Sequence, residues 1–275
     1  MNQINVYSCS KNPIFNEFLR AFELSMHHYG IQTVLKSNNQ LPDTDTVFVL
    51  VGSQKDIPNI INIIKNTKFK ILIQFEQLSN ISNENTIKII NSTFDYILTI
   101  FKSNERYINQ QKFIYSPIGY SFIYETESPI ICSTPKINCL HFGGLTPLRR
   151  KFISKYKRHI TMYTGYGINR DIQIINSKTI LMLKAYPFYC LPPLKYLLIA
   201  CKKQLAFVQP HNYYDLFIPN KHFVEFQNFE RDLIYWCNNN NDKRIKFTHD
   251  IYEDLKTNYN YTTLLQQPLE KLGLI

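Results

Sequence analysis

The stretch Ile137-Asn-Cys-Leu-His-Phe-Gly-Gly-Leu-Thr-Pro-Leu-Arg-Arg150 decides how the rest of the chain is interpreted. An apolar run ends in two adjacent glycines, and a Thr-Pro step with two arginines then opens a predicted helix. Glycine lets a ligand approach the backbone, and the first turn of a helix presents unpaired N–H groups to an anion. Arginine adds a planar, charged group suited to phosphate. The pattern predicts either a diphosphate-binding turn or an ordinary strand-to-helix turn with solvated arginines.

Short apolar runs alternate with helical patterns on both sides of this stretch. Such alternation is typical of parallel sheets covered by helices on both faces. The periodicity fades between Pro117 and Pro135, where Pro, Ser, Thr and Glu gather. We therefore predict an α/β protein with two Rossmann-like βα domains, at residues 1–120 and 137–275, joined by a linker at 121–136. The second domain is expected to end with two helices, near 228–238 and 242–259.

Open α/β sheets bind ligands beyond the carboxyl ends of their strands. Two βα domains joined by one linker are therefore expected to face each other across a cleft that holds the ligand. Because Gly143 and Gly144 follow a predicted strand, they fall at such a carboxyl end. This position favours the diphosphate-binding interpretation of the glycine turn.

The composition is that of a globular protein with an excess of basic residues. The 275 residues carry a formal net charge of +10, and the sequence pI is about 9.2. This excess favours an anionic partner, whether a nucleotide-linked substrate, a nucleic acid or an acidic membrane surface. The only dense basic cluster is Lys151-Phe-Ile-Ser-Lys-Tyr-Lys-Arg158, which argues against a dedicated nucleic-acid patch.

The cysteines and the hydropathy pattern suggest a compartment. Six cysteines, including Cys132, form no CxxC pair and have no histidine at metal-ligand spacing, so we expect no metal site and a reducing environment. No run of 18 apolar residues is present, so no membrane span is expected. The chain enters a predicted strand directly after Met1, without a signal-peptide pattern. A cytoplasmic protein is therefore expected.

Five segments together resemble the GT-B glycosyltransferases, in particular the branch of CgeB-like spore proteins and viral glycosyltransferase-like proteins. The order and spacing of these segments carry the resemblance, which extends over most of the chain. The segments are Gln74-Phe-Glu-Gln-Leu78, Phe142-Gly-Gly-Leu-Thr-Pro-Leu-Arg-Arg150, Asn176-Ser-Lys-Thr-Ile-Leu-Met-Leu183, Leu191-Pro-Pro-Leu-Lys-Tyr-Leu-Leu-Ile-Ala-Cys201 and Leu205-Ala-Phe-Val208.

The resemblance implies that the second domain holds a nucleotide-sugar donor and that the first contributes most acceptor contacts. It implies no catalytic metal and no cofactor other than the nucleotide-sugar co-substrate. Positive charge from Arg149, Arg150 and Lys178 is expected to stabilise the departing nucleoside diphosphate. The backbone at Gly143 and Gly144 is expected to let the donor come close.

This chain departs from the family pattern at three positions. The family helix carries a Glu where this chain has Leu197, and a Gly where it has Lys202. A Glu that commonly follows the next strand is here Gln209. Loss of both carboxylates leaves open a non-catalytic binding protein with the same fold. Because the chain is basic, a glycosyltransferase acting on modified DNA bases is a further alternative.

Four other residues are candidate site residues. Glu76 follows a predicted strand of the first domain and is a candidate general base, or else a turn carboxylate that caps backbone N–H groups. Tyr166 is a candidate contact for the nucleotide base, although loop packing explains it equally well. Gln209 and His211 follow a strand of the second domain and are candidate donor contacts.

The prediction is a cytoplasmic glycosyltransferase, located in the host cytoplasm if the chain is viral. It transfers a sugar from a nucleotide-sugar donor, without a metal, to an acceptor that the sequence does not identify. A glycan, a protein and modified DNA all remain open as acceptors.

Overall fold

The computed structural model describes residues 2–9, 13–51, 57–78, 84–125, 135–187 and 190–275. The chain forms two compact units. The first consists of residues 1–118 and 261–275, and the second of residues 119–260. Each unit contains one parallel sheet with helices packed against it. This arrangement confirms the predicted α/β class.

The first unit contains a sheet of six parallel strands in the order β2-β1-β3-β4-β5-β6. Its central strand is a run of five apolar residues, Val47 to Val51, all of them buried. A continuous apolar run is expected for a strand covered on both faces. The strands are β1 Asn2–Ser8, β2 Ile31–Lys36, β3 Thr46–Val51, β4 Phe69–Gln74, β5 Tyr96–Thr99 and β6 Phe113–Tyr115, and the helices are α1 Ile14–His28, α2 Ile57–Ile64 and α3 Glu84–Thr93.

The second unit contains a sheet of five parallel strands in the order β11-β10-β9-β7-β8. Its last α-helices are separated by one π-helical turn, Tyr235–Asn239. The strands are β7 Ile137–Phe142, β8 Thr161–Tyr163, β9 Ser177–Met182, β10 Leu205–Val208 and β11 Val224–Glu225, and the helices are α4 Pro147–Lys155, α5 Gly167–Ile175, α6 Pro193–Ala200, α7 Phe229–Ile234 and α8 Asn241–Asn258.

Because all strands of the second sheet are parallel, their carboxyl ends lie on one side. We call this side, with the loops that follow each strand, the carboxyl edge. The opposite side, where the strands begin, is the amino edge. The glycine turn that follows Phe142 lies on the carboxyl edge.

The last helix of the chain, α9 Tyr261–Lys271, belongs to the first unit. It packs against α1, where the rings of Phe18 and Tyr261 lie 5.8 Å apart. The hydroxyl of Tyr29 donates to the carbonyl of Thr262 at 2.8 Å. The sequence analysis expected only two terminal helices and assigned this segment to the second domain. Leu265 and Leu269 are fully buried at helical spacing, so an apolar stripe holds α9 in place.

The segment that follows the first unit groups with the second one, although the sequence analysis assigned residues 121–136 to a linker. The amide of Tyr120 donates to the carbonyl of Tyr259 at 2.7 Å, and the hydroxyl of Tyr252 donates to Glu125 at 2.6 Å. The buried ammonium of Lys202 donates to the carbonyl of Tyr124 at 2.5 Å. Residues 119–125 are therefore fixed to the second unit. The rest of the expected linker, with Cys132, lies largely outside the described residues.

Candidate functional site

The glycine turn after β7 leaves its backbone accessible. Gly143 has a φ of +106°, in the left-handed region that favours glycine, and it is exposed together with Gly144. A Cβ atom at Gly143 would lie 3.9 Å from the Nζ of Lys195, and none of the described atoms lies within 4 Å of a Cβ placed at Gly144. The turn thus offers bare backbone at the carboxyl edge, as the sequence predicts for these two glycines.

Helix α4 begins directly after this turn. Pro147 occupies its first position, and the side chain of Thr146 caps the helix by accepting from the amide of Arg149 at 3.4 Å. Proline at this position lacks an N–H group that would in any case have no helical partner. The Thr-Pro step therefore starts the helix as the sequence predicts, and its positive end faces the carboxyl edge.

Arg149 is half-buried and connects two strand ends. Its Nε donates to the carbonyl of Leu183 at 3.1 Å, and one Nη donates to the carbonyl of Gly144 at 2.8 Å. The two carbonyls follow β9 and β7, which are neighbours in the sheet. The guanidinium is therefore held beside the glycine turn in a fixed position.

Arg150 is exposed, and its Nε makes a long hydrogen bond of 3.4 Å to the carbonyl of Leu145. Its charge is therefore less constrained than that of Arg149. Both arginines of the opening motif stand at the carboxyl edge, where the sequence analysis expects them.

Lys195, in the first turn of α6, is a site residue that the sequence analysis missed. Its Nζ donates to the carbonyl of Phe142 at 2.6 Å and lies 4.4 Å from the centre of the Phe142 ring. Burial of the ammonium, together with the nearby charge of Arg149, holds the pKa of Lys195 well below its usual value. The sequence does not mark this lysine as a candidate site residue, because only the fold brings it under the glycine turn.

His141 lies within β7 and is fully buried. Its Nδ1–H donates to the carbonyl of Leu181 at 3.0 Å, so Nε2 carries the lone pair. Burial, with smaller effects from Lys195 and Arg149, lowers the pKa of His141 to about 2. The imidazole is therefore neutral at ordinary pH and adds no charge to the site.

Gln209 and His211 lie at the carboxyl edge after β10. The side-chain oxygen of Gln209 accepts from the amide of Lys184 at 3.1 Å, and its carbonyl accepts from His211 Nδ1 at 2.5 Å. The amide of His211 donates to the hydroxyl of Tyr214 at 2.8 Å. Burial lowers the pKa of His211 to about 4. The structure brings both predicted residues to the site and uses their polar groups to hold the loop.

Glu225 ends β11 and is a carboxylate at the carboxyl edge that the sequence analysis did not single out. It accepts a hydrogen bond from the hydroxyl of Tyr214, and burial raises its pKa. Lys184 opposes this shift through its positive charge. Glu225 follows two apolar residues and ends a very short strand, and this pattern only weakly indicates a site residue in the sequence. The edge therefore carries a carboxylate, although neither Leu197 nor Gln209 supplies one.

Tyr166 lies at the N-terminal boundary of α5, after β8, and is 50% exposed. It is therefore on the same edge as the glycine turn, one strand away in the sheet. Beside it, a Cβ atom at Gly165 would meet the ring of Tyr163, so a larger residue there would require that side chain to move. The placement is compatible with the predicted contact to a nucleotide base.

Lys178 is not brought to this site. It is the second residue of β9, so it lies at the amino edge, five residues before Leu183 and about 16 Å from it along an extended chain. Its Nζ donates to the carbonyl of Cys237 at 3.1 Å, and its own carbonyl accepts from Arg244 at 3.2 Å. Because it stands at the start of a strand in a parallel sheet, Lys178 lies on the opposite side of the sheet from the glycine turn.

Glu76 belongs to the first unit and follows β4. Its carbonyl accepts from the side-chain amides of Gln74 at 3.2 Å and Asn104 at 3.0 Å. The side-chain oxygen of Asn104 accepts from the amide of Leu78 at 2.8 Å. Fully buried Asn104, which the sequence analysis missed, thus fixes the backbone of this turn and leaves the Glu76 side chain half-buried.

Within the described part of the chain, no group of three or more His, Cys, Asp or Glu side chains is arranged to hold a metal ion. The five described cysteines are free and buried, and burial raises the pKa of Cys139 to about 12. In the same part of the chain, no helix combines the length and apolarity needed to cross a membrane.

No protein-family model matches the sequence, and no curated protein matches it. Similarity appears instead among solved structures. HepE from Anabaena, in complex with UDP and glucose, aligns over all of both chains with a TM-score of 0.69 and 9% identity. An α1,3-fucosyltransferase aligns over 98% of this chain and 89% of its own, with a TM-score of 0.58 and 15% identity. The fold is that of the GT-B glycosyltransferases.

A third structure shows a similar fold over part of a longer protein. A variant of TarM from S. aureus, in complex with fondaparinux, α-GlcNAc-glycerol and UDP, aligns over 84% of this chain and 56% of its own. The TM-score is 0.56 and the identity 11%. Such likenesses confirm the predicted GT-B fold class. The site residues named from the sequence remain predictions.

Proposed function

We propose that this protein is a glycosyltransferase that takes its sugar from a nucleotide-sugar donor bound at the carboxyl edge of the second unit. The observation that carries the proposal is the exposed Gly143-Gly144 turn, with the guanidinium of Arg149 fixed beside it. Bare backbone, a helix N-terminus and two arginines on one side of a parallel sheet suit a diphosphate. The presence of UDP in HepE and TarM supports the same chemistry here.

In the proposed reaction, the bond between the anomeric carbon and the diphosphate oxygen breaks, and the acceptor oxygen bonds to that carbon. The electrons of the broken bond leave with the nucleoside diphosphate. Arg149 and Arg150 supply positive charge where this negative charge develops, which is the role that the proposal gives them in place of a metal ion. The acceptor loses its proton to a general base, for which Glu76 is the candidate.

The remaining predicted residues have smaller roles in the proposal. Tyr166 is an exposed aromatic side chain on the same edge and is the candidate contact for the nucleotide base. Gln209 and His211 shape the loop after β10 through the bonds described above. Lys178 has no role in donor binding. The CgeB-like or viral branch and the cytoplasmic location remain expectations from the sequence.

A non-catalytic binding protein with the same fold is the second candidate. Leu197 is fully buried inside α6, and the side chain of Gln209 is bonded to the backbone of Lys184. The two positions where the family carries a carboxylate therefore have structural roles here. Donor binding without any hydrolysis or transfer would favour this candidate. Transfer to duplex DNA that weakens steeply with salt would instead favour the alternative acting on DNA bases.

The proposal predicts that UDP binds and that Arg150→Ala weakens this binding by about tenfold or more, since a hydrogen bond to a charged group contributes roughly 1.5–3 kcal/mol. Isothermal titration calorimetry with UDP, GDP, dTDP and CMP tests it. The matched control is Lys157→Ala, which removes an exposed cation beyond the C-terminal end of α4. Equal affinities of wild type and Arg150→Ala for the ligand that binds would contradict the assignment, and no binding by any nucleotide would overturn the proposed function.

A further inference from the structure

Lys195 is a basic group for which the described residues supply no counter-charge. Among the described residues, its hydrogen-bond partner is the carbonyl of Phe142, and no carboxylate there pairs with it. A buried ammonium group that lacks a paired anion is costly, and the protein lowers this cost by losing the proton. An anion that binds beside such a group pairs with its positive charge and so favours the protonated form.

The position of the ammonium makes it reachable from the glycine turn. The Nζ lies only 3.9 Å from the position of a Cβ atom at Gly143, and Gly143 itself is exposed. Lys195 as a whole is half-buried, so its side chain is not sealed inside the unit. An anion resting on the backbone of the turn would therefore meet the ammonium directly.

We propose that Lys195 contacts the bound anion and takes up one proton from solvent as the anion binds. The inference rests on the proposed function, because it concerns the same diphosphate site. It adds a binding residue that the sequence resemblance does not supply, and it makes donor affinity depend on pH. The proton balance is simple: a neutral amine in the free protein becomes an ammonium paired with the anion in the complex.

The charged and titratable groups near Lys195 do not take up the proton in its place. Arg149 faces it from α4 and stays charged, and His141 faces it from β7 with a pKa of about 2. His211, on the loop after β10, has a pKa of about 4. None of these three groups titrates between about pH 7.5 and 9.5. The terminal phosphate of UDP is ionised in this range, whereas pyrophosphate and the uracil ring still titrate towards its upper end. The proton taken up by Lys195 is therefore the difference between wild type and Lys195→Arg, which share the ligand's own contribution.

Calorimetric titration with UDP and with inorganic pyrophosphate, in buffers of different ionisation enthalpy, counts the protons taken up. Wild type is expected to take up as much as one proton per anion. Its affinity should fall as pH rises, by up to about tenfold per pH unit where the uptake is complete. The sign follows from the free protein, in which raising the pH removes the proton that the complex needs.

Two substitutions and one control test the role of Lys195. Lys195→Met keeps an apolar side chain over Phe142 and is expected to abolish proton uptake and flatten the pH dependence. Lys195→Arg keeps a permanent charge and is expected to bind without proton uptake, which also shows that the site still folds. The control Lys184→Met removes a neighbouring cation of the same edge and should leave proton uptake unchanged.

The possible outcomes separate the two proposals. If UDP or pyrophosphate binds without proton uptake, or if Lys195→Met takes up a proton as wild type does, this inference is overturned and the proposed function stands. If neither pyrophosphate nor any of the four nucleotides binds, both proposals fall together.

Discussion

Basic side chains that bond to backbone carbonyls occur at both edges of the second unit's sheet, but their surroundings differ. At the carboxyl edge, Arg149 and Lys195 lie beside the exposed glycine turn. At the amino edge, Arg244 is 4% exposed, and Lys178 bonds to the π-helical turn before α8. The edge of the sheet at which a basic side chain lies therefore matters. At the carboxyl edge the side chain is available to a ligand, and at the amino edge it only supports the fold.

Acid should destabilise the second unit strongly, because the carboxyl edge contains two buried neutral histidines. The folded-state pKa is about 2 for His141 and about 4 for His211, both below the value of about 6.5 in the unfolded chain. Their contribution to stability is therefore complete above about pH 6.5 and is lost as the pH falls below it. At pH 5, each histidine is expected to lower the free energy of unfolding by about 2 kcal/mol.

Hydrogen exchange of the second unit at pH 7 and pH 5, corrected for intrinsic rates, measures this loss. His141→Asn keeps a donor for the carbonyl of Leu181 and should remove the share of the acid sensitivity that His141 contributes, while His211 and buried His222, whose pKa is also lowered by burial, keep theirs. His249→Asn, at an exposed position of α8, is the control and should leave it unchanged. Equal acid sensitivity of His141→Asn and wild type would show that this histidine is not the cause.

Gly143→Val tests whether the turn at the carboxyl edge needs its left-handed backbone. A β-branched residue at a φ of +106° is strained by roughly 1–3 kcal/mol, so the turn should change conformation. We expect UDP affinity, measured by calorimetry, to fall by about tenfold or more. Gly273→Val is the control, because Gly273 also has a positive φ of +66° but lies near the end of the first unit. Unchanged affinity in Gly143→Val would remove the turn from the site.

Lys178→Met is the smallest expected effect and the direct test of the amino edge. Loss of the bond to the carbonyl of Cys237 should lower the free energy of unfolding by about 1 kcal/mol. UDP affinity should stay within about twofold of wild type. Urea unfolding and calorimetry on the same preparation give the two values. A tenfold loss of affinity at unchanged stability would return Lys178 to the site.

Local patterns predicted most of the fold, because the strands are short apolar runs and the helices are amphipathic. The strands Thr46–Val51, Phe113–Tyr115 and Leu205–Val208 are short apolar runs of this kind. Helix α9 was not predicted, because Pro268 interrupts its helical pattern. Its assignment to the first unit was not predicted either, because it depends on packing against α1, which is distant in sequence. Such contacts between distant segments leave no periodic signal.

The site was predictable only where one segment carries it. Gly143, Gly144, Arg149 and Arg150 share a single turn, so their placement followed from the strand that precedes them. Lys195 and Glu225 come from other elements of the second unit, and only the fold brings them to the carboxyl edge. Asn104 reaches the Glu76 turn of the first unit in the same way. Lys178 is the opposite case: its motif was noted, but not the end of the strand on which it lies, and the structure places it at the amino edge.

Helix α9 also determines when the first unit is complete. The apolar face of α1 around Phe18 is covered by Tyr261, which the ribosome makes more than 200 residues later. Everything that the second unit needs, residues 119–260, is synthesised before α9 appears. During synthesis the second unit can therefore fold first. The apolar face of α1 in the first unit stays exposed until α9 has been made.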